Sequence, residues 1–326
     1  MKAIRRTAGI ALIVACLHLI FGAIVRISGS GMGCGDHWPK CFGYWIPPMS
    51  RPDLVVEVTH RYLASILVLA VSALVLTAWR RRVEPGVAGL GGPLRSAVGA
   101  LVAVFAAAIL GGVTVKLGNA PLATVAHWLV AMALLALVAT TAIRAGALGG
   151  PGAIRQRGSA RTARAATAAA SLAIAAVALG GLTAKYPGAA VGCLTVPACG
   201  RNTDVLPIAT NIQLTHRVIA VLLVLHLTGM VIGVSRRRAT EPSIVVRATF
   251  AAWGLALLQL VVAASMILLR LPPVLRSLHE AIGVGIWLAC FSLAYLGSRF
   301  EDSRWRALSR SFADPHRSHL GPAAAP

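Results

Sequence analysis

The stretch that decides the fold is VEVTHRYLASILVLAVSALVLTAW at residues 56–79, where a short polar segment leads into an apolar run. A helix needs about 20 mostly apolar residues to cross roughly 30 Å of hydrocarbon, because each residue advances it by about 1.5 Å. The stretch therefore predicts a membrane-spanning helix. Glu57 and His60 lie within its first turns, at a depth where ionisable side chains are costly and usually functional.

The rest of the chain has the same apolar character. Hydrophobic residues make up 57% of the 326 residues, charged residues make up 13%, and the mean hydropathy is +0.76. A soluble protein is about half apolar and about a quarter charged, so the composition excludes a soluble enzyme, a disordered chain and a disulfide-stapled secreted domain. Eight apolar runs are long enough to span a membrane: 8–27, 56–79, 96–116, 121–143, 164–184, 206–234, 245–269 and 274–297. The sequence therefore predicts an all-α membrane protein with eight transmembrane helices, in which the first run is a span rather than a signal peptide.

The basic residues predict the orientation in the membrane. A formal net charge of +21 would suggest a nucleic-acid partner in a soluble protein. Here the Lys and Arg residues cluster between the apolar runs, and most of them fall on the side that holds the N-terminus. Because cytoplasmic loops carry the excess of Lys and Arg, both termini are expected to be cytoplasmic in a multi-pass protein of a bacterial plasma membrane. Membrane lipid is the expected surrounding, and no nucleic-acid partner is predicted.

The chain is also predicted to contain an internal repeat. VEVTHR at 56–61 recurs as IQLTHR at 212–217, and a proline six residues before a histidine occurs at 121–127 and again at 273–279. The expected organisation is an N-terminal four-helix half (1–146), a cytoplasmic linker (147–160), a C-terminal four-helix half (161–300) and a cytoplasmic tail (301–326). With four spans each, the halves share one orientation and are related by an axis along the membrane normal.

Four histidines lie at matched positions near the outward ends of the even-numbered spans: His60, His127, His216 and His279. A neutral imidazole is the commonest metal ligand, and two imidazoles from neighbouring helices can hold a haem from both faces. One pair per half predicts two haem-sized sites, His60 with His127 and His216 with His279. The alternatives are interhelical hydrogen bonds and zinc, which fits less well because each half lacks a third or fourth ligand at the same depth.

Other polar residues in the spans are given structural roles. His18 and His226 have no partner in the repeat and are predicted to be packed, hydrogen-bonded residues between helices. A basic ring at the outward ends of the odd-numbered spans consists of Arg26, Lys116, Lys185 and Arg270. These residues are interpreted as interface anchors, or alternatively as partners for haem propionates or polar substrate groups.

The two halves differ beside the matched histidines. Glu57 lies three residues before His60, on the same helix face, whereas Gln213 occupies the corresponding position before His216. A carboxylate can move protons and stabilise positive charge, whereas an amide can only form hydrogen bonds. The first half is therefore predicted to carry out chemistry and the second to hold a haem or relay electrons. Alternatively, Glu57 is an interfacial carboxylate paired with a neighbouring arginine.

Charged residues next to the histidines have different expected roles. Arg61 and Arg217 each follow one histidine directly. Because a guanidinium binds carboxylates in a bidentate manner, the two residues are predicted to bind haem propionates. Glu280, beside His279, corresponds to Trp128 in the first half, is expected to point to a different helix face, and is assigned no role.

Four cysteines lie in outward loops, Cys34 and Cys41 in the first and Cys193 and Cys199 in the third. Neither spacing matches the C-x-x-C of zinc or thioredoxin-type sites. Because the outward side is oxidising in bacteria, a structural disulfide in each loop is one interpretation. A redox-active pair that accepts electrons, and copper binding by the first pair, are the others.

Together these residues resemble the heme A synthase family, membrane enzymes of cytochrome oxidase assembly. The resemblance covers roughly residues 5–300 and rests on EVTHR at 57–61, THR at 215–217, His127, His279 and the outward cysteine pairs. It implies oxidation of the C8 methyl of heme O to a formyl group by successive hydroxylations. The second-half histidine pair would bind a haem b cofactor, and the first-half pair would receive the substrate haem.

The resemblance also implies roles for other residues and for partners. Glu57 would be the important acid, and Cys34–Cys41 a disulfide that matters for activity. A heme O synthase and cytochrome oxidase assembly factors are the expected partners, and a homo-oligomer is also considered. Two rival functions use the same histidines: a bis-histidine cytochrome b that only transfers electrons, and a haem or metal transporter whose halves rock about the sites.

Overall fold

The computed structural model describes residues 1–150, 158–200 and 203–297, and its long elements are all α-helices. They are α1 (Lys2–Ile27), α2 (Pro52–Arg80), α3 (Pro93–Lys116), α4 (Pro121–Ala145), α5 (Ala160–Lys185), α6 (Pro207–Arg236), α7 (Ser243–Leu268) and α8 (Pro273–Gly297). Each is long and apolar enough to cross a membrane, which confirms the predicted all-α protein with eight spans. Half of the predicted linker (151–157) and the whole predicted tail (301–326) lie outside the described residues.

Prolines mark where the even-numbered helices begin. Pro52, Pro121, Pro207 and Pro273 are the first residues of α2, α4, α6 and α8. Proline is tolerated there because the first backbone N–H groups of a helix have no intrahelical acceptor. Several helices extend beyond the predicted apolar runs, and α1 begins at Lys2 rather than at residue 8. The runs mark the hydrocarbon-compatible part, and polar residues continue the same helices beyond it.

Two sets of four helices form the molecule, α1–α4 (the first half) and α5–α8 (the second half). In each half, consecutive helices pack against each other and the first helix also contacts the fourth, which closes a bundle. Between the halves, α1 contacts α8, and α4 contacts both α5 and α8. This arrangement agrees with the predicted repeat, while the exact division of the chain and the orientation of its termini stay predictions.

Small residues allow close approach of α5 and α8. A side chain at Gly297 would place its Cβ 2.8 Å from the Cα of Ala163. The buried face of α5 continues with Ala166, Ala169 and Ala173. Association of helices in lipid depends on close packing rather than on a hydrophobic driving force, so small residues at such contacts stabilise the pair.

Hydrogen bonds tie the halves together on the side of the bundle away from the cysteine loops. The Arg144 Nε donates to the Tyr295 hydroxyl at 2.6 Å, and the Trp287 Nε1 donates to the Met132 carbonyl at 3.1 Å. These bonds join α4 to α8 across the boundary. Residues 131–145 of α4 are almost all buried here, so this end of the molecule is a packed core.

In each half, one glutamate links the turn after the second helix to the start of the first helix. Glu84, in the turn after α2, accepts hydrogen bonds from Arg81 and from the backbone amino group of Met1. Glu241, in the turn after α6, accepts hydrogen bonds from Ser159 at 2.5 Å and Thr162 at 2.6 Å, at the start of α5. Burial raises the pKa of Glu241, but these hydrogen bonds outweigh it, so the pKa lies below its ordinary value.

The other end of the bundle carries two disulfide-bonded loops. Cys34 is joined to Cys41 in the loop between α1 and α2, and Cys193 to Cys199 in the loop between α5 and α6. Cys34 and Cys41 are buried against the start of α2. The loops therefore cover the ends of the helices that carry the predicted histidines.

Candidate functional site

Glycines on the odd-numbered helices make room for three of the four predicted histidine rings. A Cβ at Gly22 of α1 would lie 3.2 Å from the Cε1 of His60, and one at Gly180 of α5 would lie 2.9 Å from the Cε1 of His216. A Cβ at Gly111 of α3 would lie 3.4 Å from the Cε1 of His127. The rings therefore fill gaps that a side chain would close, and they point into the bundles rather than toward lipid.

The first half contains a cavity of about 530 Å³ at the level of these histidines. His60 and His127 both line it, together with Glu57 and Arg61. Most other lining residues are apolar and come from four helices, among them Leu19, Val68, Val104, Ala131 and Leu134. The volume lies in the usual range of small-molecule and cofactor sites, and the lining combines apolar walls with a few polar groups, as such sites do.

The second half brings its two histidines closely together. The ring centres of His216 and His279 are 6.4 Å apart, and the ring planes meet at 76°. Two imidazoles that bind one metal ion from opposite sides have ring centres roughly 6 Å apart, because each metal–nitrogen bond is about 2 Å long. The separation therefore fits a pair of axial ligands.

The buried nitrogens of the four histidines provide a second test of this fit. The Nδ1 atoms of His60 and His279 are buried and have no hydrogen-bond partner among the described residues, whereas the rings of His127 and His216 face the backbone of Ala107 and Ala176. Buried polar groups without partners are rare and call for an explanation, such as a ligand at the ring. Among the described residues no cluster of three or more His, Cys, Asp or Glu side chains fits a metal ion. Paired imidazoles on either side of an iron porphyrin do not need such a cluster.

The disulfides change what the outward cysteines can do. Because Cys34 and Cys41 are bonded to each other, neither offers a thiolate, which is the form of cysteine that binds metals. Copper binding by this pair therefore requires its prior reduction. Whether the disulfide acts as a structural link or as an electron acceptor stays a prediction.

Glu57 is held on both sides of its carboxylate. One oxygen accepts a hydrogen bond from the backbone N–H of Cys34 at 2.9 Å, and the other pairs with Arg61 one helical turn away. The residue is 4% exposed. Arg61 also donates to the Pro39 carbonyl at 2.8 Å. Glu57 and Arg61 therefore fasten the first disulfide loop to α2 at the wall of the cavity.

Gln213 makes the corresponding contact in the second half. Its side-chain oxygen accepts a hydrogen bond from the backbone N–H of Cys193, and its Nε2 donates to the Ala190 carbonyl at 3.3 Å. Arg217 donates to the carbonyls of Cys193, at 2.9 Å, and Thr195, at 2.7 Å. An amide thus suffices to hold this loop, so the negative charge of Glu57 is an addition specific to the first half.

The predicted propionate ligands are already engaged with the loops. Arg61 contacts a loop carbonyl and Glu57, and Arg217 contacts two loop carbonyls. Arg61 also lines the first-half cavity. Each guanidinium has five N–H donors, so binding of a propionate by Arg61 or Arg217 is compatible with these contacts and stays a prediction.

His18 has a position that the sequence analysis missed. Its ring stacks on that of His60, with centres 4.4 Å apart and planes within 2°, and it lines the same cavity. The Nδ1 of His18 is buried without a hydrogen-bond partner among the described residues, unlike His226, whose ring contacts the Ala165 carbonyl at 2.8 Å as predicted. The available signal was spacing, since His18 lies four residues before Gly22 and therefore on the same face of α1.

Glu280 and Trp128 were also missed. Glu280 forms an ion pair with Arg26 of α1, and the Arg26 guanidinium carbon lies 5.7 Å from the centre of the Trp128 ring. The same ring packs so closely on Gly181 that a Cβ there would lie 2.6 Å from it. Trp128 follows His127 and Glu280 follows His279, and each of the two side chains contacts a helix of the other half. The pattern along a single helix did not indicate these contacts.

Comparisons with known proteins agree with this geometry. Residues 5–291 match a family model described as "Cytochrome oxidase assembly protein". The Heme A synthase of Geobacillus kaustophilus is 24% identical over 289 residues, which cover 85% of each chain. The Heme A synthase of Geobacillus thermodenitrificans is 25% identical over 236 residues, 69% of this chain and 70% of the relative. The Protoheme IX farnesyltransferase of Thermus thermophilus is 47% identical over 64 residues, 20% of this chain and 10% of the relative.

Proposed function

Because the chain belongs to the cytochrome oxidase assembly protein family, we propose that it oxidises the C8 methyl of heme O to a formyl group and so makes heme A. The observation that carries this proposal is the first-half cavity of about 530 Å³, which is lined by His60, His127 and Glu57. It combines two imidazoles for an iron, one carboxylate, and apolar walls. The relatives named Heme A synthase, matched over most of both chains, support the same assignment.

The second-half histidines are proposed to hold a haem b cofactor. The 6.4 Å separation of the His216 and His279 rings supports this role. A haem bound there would supply one-electron redox chemistry next to the substrate cavity. Gly180 makes room for the ring of His216, because a Cβ there would lie 2.9 Å from its Cε1.

The first-half residues are proposed to position heme O and handle protons. His60 and His127 would bind the substrate iron, and the apolar walls would take up the farnesyl tail and exclude bulk water. Glu57 would accept or return protons as C–H bonds at the methyl group are replaced by bonds to oxygen. Arg61 keeps that carboxylate fixed at the cavity wall.

A bis-histidine cytochrome b is the second candidate. The close pair of His216 and His279 would by itself suffice for electron transfer. That function does not account for the first-half cavity, which has a carboxylate in its wall. The transporter alternative is weaker, because the bonds from Arg144 to Tyr295 and from Trp287 to Met132 oppose rocking of one half against the other.

The surroundings and partners complete the proposal. The chain is a multi-pass membrane protein, and we propose a bacterial plasma membrane with both termini in the cytoplasm. A heme O synthase would deliver the substrate, which the matching segment in a Protoheme IX farnesyltransferase supports. Cytochrome oxidase assembly factors would receive the product, and self-association into a homo-oligomer belongs to the same proposal.

Deletion of the gene tests the proposed function. Cells that lack the protein should accumulate heme O and contain no heme A, as measured by chromatography of extracted haems. The full-length chain should restore heme A in those cells. Normal heme A in the deletion strain would contradict the proposal and favour the electron-transfer candidate.

A further inference from the structure

Arg26 lies at the boundary between the halves and faces the substrate cavity. Its side chain is 13% exposed and pairs with Glu280 of the other half. It also lines the first-half cavity, and its Nε is buried without a hydrogen-bond partner among the described residues. Arg26 therefore lines the cavity and has a donor that no described residue uses.

Two further cations surround this position. Lys185, at the end of α5, belongs to the second half but lines the first-half cavity. Lys185 and Arg276 of α8 are both close enough to Arg26 for their charges to repel it. In the described part of the chain neither Lys185 nor Arg276 has an ion-pair partner, and Glu280 is the carboxylate paired at this boundary.

The charges at the boundary therefore do not balance. Arg26 and Lys185 line the cavity, whereas Arg276 lies outside its lining, and Glu280 is the carboxylate that pairs with Arg26. Placing unpaired charge in such surroundings is costly unless a counter-charge is bound. A ligand with two carboxylates offers one to each of the two cations that line the cavity here, Arg26 and Lys185, and the two propionates of a haem are such carboxylates.

The position of Arg26 along α1 agrees with this ligand. Gly22, which contacts the ring of His60, lies four residues before Arg26. The two residues therefore share a helix face, with Arg26 roughly 6 Å closer to the disulfide-loop side. A haem held by His60 would therefore have Arg26 within the same cavity, on its disulfide-loop side.

We propose that Arg26 and Lys185 bind the two propionates of heme O, and that Glu280 occupies Arg26 until the substrate enters. The proposal rests on the proposed function and adds the residues that recognise the polar edge of the substrate. Each half contributes one cation to the cavity of the first half. Glu280 competes with the substrate carboxylate for the same guanidinium, so its removal favours binding.

Binding of two matched probes tests this assignment. Protein with its second-half site filled is titrated with iron protoporphyrin IX and, separately, with its dimethyl ester, while the low-spin absorption of the first-half site is followed. Arg26→Gln should raise the Kd for the free acid at least tenfold and leave the Kd for the ester unchanged. Lys185→Gln should act in the same direction with a smaller effect, and Glu280→Gln should lower the Kd for the free acid severalfold.

The controls separate this proposal from the proposed function. Arg51→Gln removes a cation that pairs with Asp53 outside the cavity, and it should change neither Kd. The second-half haem spectrum shows whether each variant is folded, and the Glu280 variant retains Arg26 if Arg26→Gln does not fold. An unchanged Kd for the free acid in the Arg26 and Lys185 variants, or equal losses for acid and ester, would overturn the propionate assignment alone. Failure of the wild-type first half to bind either probe would contradict the proposed function as well.

Discussion

Glu57 fastens the loop after α1 by accepting a hydrogen bond from the backbone N–H of Cys34. Gln213 fastens the loop after α5 by accepting a hydrogen bond from the backbone N–H of Cys193. The contacts correspond atom for atom, yet one side chain is charged and the other is neutral. Loop anchoring therefore explains why a polar acceptor stands at this position in each half. The carboxylate also pairs with Arg61, a contact for which Gln213 and Arg217 have no counterpart, and the proposed proton transfer gives the charge a second role in the first half.

Two more differences lie beside the histidines. His18 stacks on His60 in the first half, whereas the residue four positions before the corresponding Gly180 is Ala176. The first-half histidines line a cavity of about 530 Å³, and the ring centres of His216 and His279 in the second half are 6.4 Å apart, the separation of two ligands to one metal ion. The comparison suggests a shared scaffold with a holding site in one half and a reaction site in the other.

The largest expected effect separates the two histidine pairs. Replacement of His216 or His279 by Ala should abolish the low-spin bis-histidine spectrum of the purified protein, because one axial ligand of the resident haem is lost. Heme A formation should be lost with it. Retention of the full low-spin spectrum in both variants would place the resident haem elsewhere. Absorption spectroscopy of the reduced protein measures this effect.

A smaller effect is expected when Glu57 is made to resemble its counterpart. Glu57→Gln keeps an acceptor for the Cys34 N–H but removes the charge, so the loop should stay in place while proton transfer fails. Heme A formation should fall roughly 100-fold or more, which is the usual contribution of general acid–base catalysis. The resident haem spectrum should not change.

The reciprocal variant Gln213→Glu is the control for that experiment. It adds a carboxylate to the second half and should leave heme A formation within about threefold of wild type, since no oxidation is proposed there. Unchanged product formation in Glu57→Gln would reduce Glu57 to a loop anchor like Gln213.

His18→Ala gives the first half the residue type found at position 176. The variant should weaken heme O binding by about threefold to tenfold, because stacked aromatic rings contribute roughly 0.5–1.5 kcal/mol and 1.4 kcal/mol is a factor of ten. Titration of the first-half site measures the change. His226→Ala, which removes a hydrogen-bonded histidine far from this cavity, should not alter the affinity. Equal affinities in wild type and His18→Ala would remove His18 from the substrate site.

The smallest effect compares the glutamates at the opposite end of the bundle. Glu241→Gln should destabilise the protein by about 1–3 kcal/mol, because its oxygens satisfy buried donors, whereas Glu84→Gln at an exposed turn should have little effect. The pKa of folded Glu241 lies below its ordinary value, so its stabilisation is present above that ordinary value and is lost as the pH falls through the folded pKa. Thermal unfolding in detergent at several pH values tests this, and equal Tm shifts in both variants would contradict it.

Sequence patterns predicted the features that each helix carries by itself. Apolar length predicted eight spans, and the recurring THR triplets singled out His60 and His216 with their neighbours Glu57 and Gln213. The matched loops were also visible, because a repeat preserves the order of its cysteines. These features follow from length, polarity and order along the chain.

The contacts between distant helices could not be predicted in the same way. His18 became a cavity residue because α1 packs on α2 at that level. Glu280 was assigned no role, yet α8 lies against α1 and brings it to Arg26. Which helices become neighbours depends on packing across the whole molecule, and a position on one helix face gives no information about the helix that will cover it.

The central claim is tested most directly by identifying the haems that are bound to purified His60→Ala protein from cells that make heme O. The account predicts haem b in the amount found in wild type, with neither heme O nor heme A, because the second half is intact and the substrate site has lost a ligand. Loss of haem b from this variant, or heme A at the wild-type level, would contradict the division of labour between the two halves.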